Sequence, residues 1–133
     1  MRTTHLNPET VAPPMGSYTH AVRTETADAV WIHVSGQLAL DLEGNLVGPG
    51  DMTAQTERVF ENLQEILEAN GATFGDVVKL QTFTTSFDDL AAMREVRARY
   101  LTSEPPASTT VQVVALVLPE ATIEVDAIAA IPR

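Results

Sequence analysis

Residues Ala29 to Gln37 read Ala-Val-Trp-Ile-His-Val-Ser-Gly-Gln, and their alternation decides the fold class. Val30, Ile32 and Val34 fall on one face of an extended chain, and Trp31, His33, Ser35 and Gln37 on the other. The first face is a core face. The second is mixed rather than charged, unlike a strand surface simply open to water. Thr122 to Ala130 (TIEVDAIAA) repeats the pattern, setting Ile123, Val125 and Ala127 opposite Glu124, Asp126, Ile128 and Ala130. Between the two, Asp51 to Asn70 carries Val59, Leu63, Ile66 and Leu67 at helical spacing, with Phe60 beside them. Asp51 can cap that helix, and Asn70-Gly71 can stop it in the left-handed region.

Working outward, Tyr18 to Thr24 reads as a short strand, and the glycine-rich stretch Asp41 to Gly50 as a loop with a fragment of strand at Leu46 and Val47. Asp76 to Thr85 reads as a strand with Val78, Leu80, Thr82 and Thr84 on one face. Ser86 to Asp89 offers caps for a second helix, whose stripe is Leu90, Met93, Val96 or Arg97, and Tyr100 with Leu101. Glu104-Pro105-Pro106 ends it. Thr109 to Leu116 is the remaining strand. The first seventeen residues, with Pro8, Pro13, Pro14 and Gly16, read as an extended arm. The order β-β-(β)-α-β-α-β-β predicts a single α+β domain over residues 1–133, with both helices on one sheet face. Two helices cannot blanket both faces. The other face is expected to be buried against further copies of the chain, as a homo-oligomer.

Composition limits the function. The 133 residues carry a net charge of −10, so phosphate backbones and anionic membranes are repelled and no nucleic-acid partner is expected. The absence of cysteine removes disulfides, thiolate zinc sites and cysteine nucleophiles. His5, His20 and His33 lie far apart with no metal-ligand spacing, so no metal is expected. No apolar leader or membrane-length run is visible, which predicts a cytoplasmic protein. Phosphate-loop, dinucleotide, zinc-protease and serine-hydrolase motifs are absent.

The chemistry left is polar residues in strands. Glu124 and Asp126 share one face of an otherwise apolar strand; taken alone, a face open to solvent explains them equally well, but Ile128 and Ala130 continue that face, and in such surroundings an ion is either paired or functional. Gly36, after Ser35, permits close backbone approach by a ligand or partner, although a strand-ending turn explains it equally well. Tyr18 is either a pocket wall or a core aromatic with a satisfied hydroxyl. Pro105 to Val113 reads as a loop feeding a strand that starts with three hydroxyl residues.

These pieces occur in one order: Gly16-Ser17-Tyr18-Thr19-His20-Ala21-Val22, Val34-Ser35-Gly36-Gln37, Ala54-Gln55-Thr56, Glu61-Asn62-Leu63 and Asp76-Val77-Val78-Lys79. Phe83-Thr84-Thr85, Pro105-Pro106-Ala107, Val111-Gln112-Val113 and Ile123 to Ala129 follow. From about residue 12 to 131 the chain resembles the Rid/YjgF family. The resemblance implies a chorismate-mutase-like fold, a barrel-like homotrimer and ligand sites in clefts between subunits. It also implies cofactor-free hydrolysis of small enamines or imines to a carbonyl compound and ammonia. Glu124 would then activate or orient the water, Ser35 and Gly36 would line the cleft, Tyr18 would form a wall and Thr110 would complete the pocket.

Two positions depart from the deaminating members. Ser108 stands where they carry an arginine that clamps the substrate carboxylate, and one hydroxyl cannot replace a guanidinium fork. Arg94 stands where they often have asparagine; it is either an exposed helix charge or a cation returned from another direction. The expected substrate is therefore a neutral or cationic nitrogen compound rather than the usual 2-imino acid. The alternative is a non-catalytic trimer that binds a metabolite or a partner in the same cleft.

Overall fold

The computed structural model describes residues 1–101 and 103–133. Six strands form one mixed sheet in the order β1-β2-β3-β6-β4-β5: β1 Arg2–Leu6, β2 Ala21–Glu25, β3 Ala29–Gln37, β4 Val77–Thr84, β5 Ala107–Gln112 and β6 Ile123–Pro132. Neighbours run antiparallel except β4 and β5, which are parallel. Parallel neighbours need a crossover, and α2 (Leu90–Ala98) supplies it. The longer helix, α1 (Met52–Ala69), lies across β3 and β6 and carries α2 against its flank. The chain is thus α+β, with both helices on one side of the sheet.

Local chemistry sets the helix ends. The Asp51 carboxylate accepts from the Ala54 N–H at 3.0 Å, and Gly71, at φ 81°, takes the left-handed turn after Asn70. The apolar stripe of α1 (Val59, Phe60, Leu63, Ile66, Leu67) is almost wholly buried against Ile32, Leu80, Ile123 and Val125 of the sheet. Burying one such side chain contributes about 1.5–3 kcal/mol. Phe60, Phe74 and Tyr100 meet at centroid separations of 5.3–5.7 Å, Phe60 stacked on Phe74 and Tyr100 edge-on to Phe74, joining α1, the turn before β4 and the end of α2. Gln55 is a fully buried amide on α1. It donates to the Gly48 and Glu120 carbonyls and accepts the Thr122 N–H at 2.8 Å, tying two distant loops to one side chain.

Five expectations are corrected. The first five residues of the supposed arm after Met1 form β1, paired antiparallel with all of β2; a strand this polar shows no core periodicity in sequence. Strand β2 begins at Ala21 rather than Tyr18, because Tyr18 N–H turns back to the Gly16 carbonyl and His20 N–H goes to the Asn7 side chain. An irregularity between Val77 and Lys79 buries Val77 and exposes Val78, the reverse of strict alternation. Strand β5 starts at Ala107 and stops at Gln112. Beyond it, Val114 and Val117 stand exposed, since β4 ends at Thr84 and offers no further partner. At Leu46 only an isolated bridge to Leu40 forms.

Candidate functional site

The Glu124 end of β6 and the Ser35-Gly36 end of β3 lie side by side where the ladder slips. Val34 pairs with Ala127 and Gln37 with Val125, so two residues of β3 oppose one of β6. A bulge of this kind turns backbone and side chains out of the pleat. Ser35 and Gly36 sit in it. A Cβ on Gly36 would stand 2.9 Å from the Glu124 carboxyl carbon, with Oε1 nearer still. Glycine therefore lets this carboxylate lie flat against the neighbouring strand.

A cavity of about 430 Å³ opens over that contact, lined by Met15, Tyr18, Ser35, Gly36, Val117 and Glu124, among others. The strand presents Glu124 and Asp126 on the face away from the helices, and both are half-buried. Burial, and then the Asp126 charge, raises the proton affinity of Glu124 above the ordinary carboxylate value. Asp126 is raised by burial too, with Lys79 acting in the opposite direction. Lys79 spends one donor on Thr109 Oγ1 at 3.0 Å.

The wall is pinned from behind. Ser35 Oγ donates to the Thr19 carbonyl at 2.6 Å, and Ser35 N–H to the His20 carbonyl at 2.9 Å. Buried His20 contacts the Ala12 carbonyl through Nε2 at 2.7 Å and Gln37 Nε2 through Nδ1 at 3.1 Å. Those partners assign the proton to Nε2. Gln37 also donates to the Ser35 carbonyl at 3.1 Å. The Met15 N–H donates to the Tyr18 hydroxyl at 3.2 Å, so Tyr18 folds over its own loop with its ring partly exposed. His20 and Gln37 were not singled out from sequence as site supports. Their nearness to Tyr18 and Gly36 in the chain was the only available signal.

Four of the seven residues singled out in sequence, Tyr18, Ser35, Gly36 and Glu124, thus line one cavity. Ser108, Thr110 and Arg94 do not line it within one chain. Ser108 pairs with Leu80 and Thr110 with Thr82, both on the helix side of β5. Arg94 is exposed on α2. Ser108 Oγ instead accepts from Arg97 Nη2 at 2.8 Å, a contact with no motif in the sequence. Among the described residues no three histidines or carboxylates converge as a metal site would need, and no helix is long and apolar enough to cross a membrane.

Comparison with known proteins gives the family and the fold. The family model described as Endoribonuclease L-PSP matches residues 9–131. Protein DfrA of Myxococcus xanthus is 42% identical over 116 residues, 86% of each chain. The 3-aminoacrylate deaminase RutC of Acinetobacter baylyi is 36% identical over 122 residues, 92% of this chain and 93% of that one. The crystal structure of RidA from an Antarctic Psychrobacter superposes with a TM-score of 0.85 at 32% identity, covering 96% of this chain and 99% of that one.

Proposed function

The chain belongs to the Rid/YjgF family, described in its family model as Endoribonuclease L-PSP, and from that premise we propose that it hydrolyses small enamines or imines and releases ammonia. The observation that carries this reading is the Glu124 carboxylate, held against Gly36 in a cavity and shifted toward the protonated form by burial. An imine carbon is already electrophilic, so placing a water and accepting its proton can suffice. Water adds to the C=N carbon while Glu124 takes its proton. The carbinolamine then collapses to the carbonyl as nitrogen, protonated in turn, leaves as ammonia. One water is consumed for each ammonia released, and no cofactor enters the balance.

The active assembly in this reading is a homotrimer working in the cytoplasm. Its support is the sheet face opposite the helices, where Trp31 and Val78 are exposed with no cover from the chain itself. The test is ammonia release from imines generated in place by an amino-acid or amine oxidase. Glu124→Gln should lower kcat by about 10²–10⁴-fold, the usual contribution of a positioned acid–base group. Unchanged turnover in that variant overturns the reading.

A second reading, a trimer that binds a metabolite without turning it over, draws on the lack of any cation among the residues lining the cavity. Glu124→Gln separates the two, because a binder would change affinity with no rate to lose. The ribonuclease activity in the family's description has little electrostatic support in a chain of net charge −10.

A further inference from the structure

Strand β2 begins at Ala21, which pairs with Val34, so His20 comes to lie opposite the bulge at Ser35 and Gly36. Its ring is buried. A backbone carbonyl can only accept, so the 2.7 Å contact with the Ala12 oxygen fixes the imidazole proton on Nε2. Nδ1 is then left as an acceptor and must face a donor, which Gln37 Nε2 supplies at 3.1 Å. The second hydrogen of that amide goes to the Ser35 carbonyl at 3.1 Å. This carbonyl belongs to the Ser35–Gly36 peptide, the backbone against which the Glu124 carboxylate lies. Three polar contacts thus run from Ala12, between β1 and β2, to the cavity wall, and each fixes the orientation of the next.

A second proton on His20 reverses the sense of this chain. Nδ1–H would meet the Gln37 N–H groups donor against donor. The amide would have to turn and offer its oxygen, and the part-buried Ser35 carbonyl would lose this donor. The surroundings hold no counter-charge that would satisfy the imidazolium instead. Among the described residues lining the small void of about 20 Å³ beside the ring, Tyr18 is the one other titratable side chain, edge-on at 6.1 Å, and α1 contributes the neutral Asn62. Asn7, just after β1, meets the His20 N–H with a neutral amide oxygen. Glu124 lies beyond Gly36.

We propose that His20 and Gln37 are positioning residues for the reaction, and that a second proton on His20 loosens the Ser35–Gly36 wall and so misplaces Glu124. The effect on rate rests on the hydrolase reading above; the coupling of His20 to Gly36 stands without it.

The test uses the native full-length chain and its variants. Gln37→Met keeps the volume and removes both donors; kcat for ammonia release should fall by about 10²-fold, the scale of a misplaced catalytic group, with KM changed much less. His20→Gln keeps one donor for Ala12 and one acceptor for Gln37 but takes up no proton, so its kcat at neutral pH should stay near native. On acidification the native rate should fall with the uptake of two protons, by His20 and by Glu124, and the rate of His20→Gln with one. Nuclear magnetic resonance reads the coupling without turnover, in Glu124→Gln so that the neighbouring carboxyl does not titrate. There the Gly36 amide signal should follow the His20 ring, and should hold still once His20→Gln is added. An unchanged thermal midpoint assigns each loss to position rather than to folding. Native kcat in Gln37→Met, a two-proton fall retained in His20→Gln, a Gly36 amide that ignores the His20 ring, or a ring that stays neutral down to acid unfolding overturns the proposal. A Gly36 amide that follows His20 in a chain that releases no ammonia from any imine overturns the hydrolase reading alone.

Discussion

Along β6, consecutive residues sit in two different kinds of surroundings. Ile123, Val125, Ala127 and Ala129 point under α1 and are almost wholly buried, while Glu124, Asp126, Ile128 and Ala130 face away and stay partly open. The first set obeys packing rules: apolar, close-fitting and without charge. The second set breaks them, with two carboxylates whose charged forms burial disfavours. The helix side of this strand holds the fold together, and the far side holds the carboxylates of the proposed reaction at the expense of stability. Chemistry is found where the sequence departs from what packing alone would select.

Substitutions on the two sides should therefore behave in opposite ways. On the covered side, Phe60→Ala empties the centre of the aromatic trio and should cost about 3–5 kcal/mol, read by denaturant unfolding. A loss below about 1 kcal/mol would mean that this side is not the stabilising one. On the open side, Gly36→Ala should leave the fold intact, because no positive φ constrains it and the nearest obstacle is the movable Glu124 carboxylate. It should push that carboxylate aside and lower ammonia release by about 10²-fold, the scale expected for a misplaced group. Full activity would show that the Gly36–Glu124 contact does not matter. Trp31→Glu, on the same face, should shift the solution mass from that of the proposed trimer to that of a monomer with helical circular dichroism retained. A native chain that is already monomeric would leave this face open to water and weaken the contrast.

The smallest effect concerns pH. Both carboxylates bind protons more tightly in the folded chain than unfolded. Their contribution to stability is complete below the unfolded value and is lost as pH rises through the folded one. Glu124→Gln should therefore raise the thermal midpoint at neutral pH while removing activity, and the gain should shrink as the pH is lowered toward the ordinary carboxylate range. A midpoint that falls at neutral pH would show that Glu124 stabilises the native state. The acid limb of the rate profile should lie above the ordinary glutamate value of 4.5.

What was legible in sequence follows the same division. Strand β3 and the caps of α1 were read correctly, because period, cap and stop all act within a few residues. Strand β1 was not, because Arg2–Leu6 owes its structure to β2 rather than to any pattern of its own. The slip that exposes Val78 and the early end of β5 depend on which neighbour is present, information no local window contains. Tyr18, Ser35, Gly36 and Glu124 could be picked out separately, yet the bulge that brings them together is a property of the β3–β6 pairing. Arg97 was the hidden one. It lies one turn from Arg94, and only the crossover between β4 and β5 sets it on Ser108.

The buried Gln55 amide has a consequence for motion. One side chain satisfies the Gly48 and Glu120 carbonyls and the Thr122 N–H, so neither loop can lift away without leaving buried groups unpaired. Opening of the two loops should be one cooperative event. In deuterium exchange the Thr122 amide, at the doorstep of Glu124, should rank with the slowest-exchanging core strands rather than with the turn that precedes it.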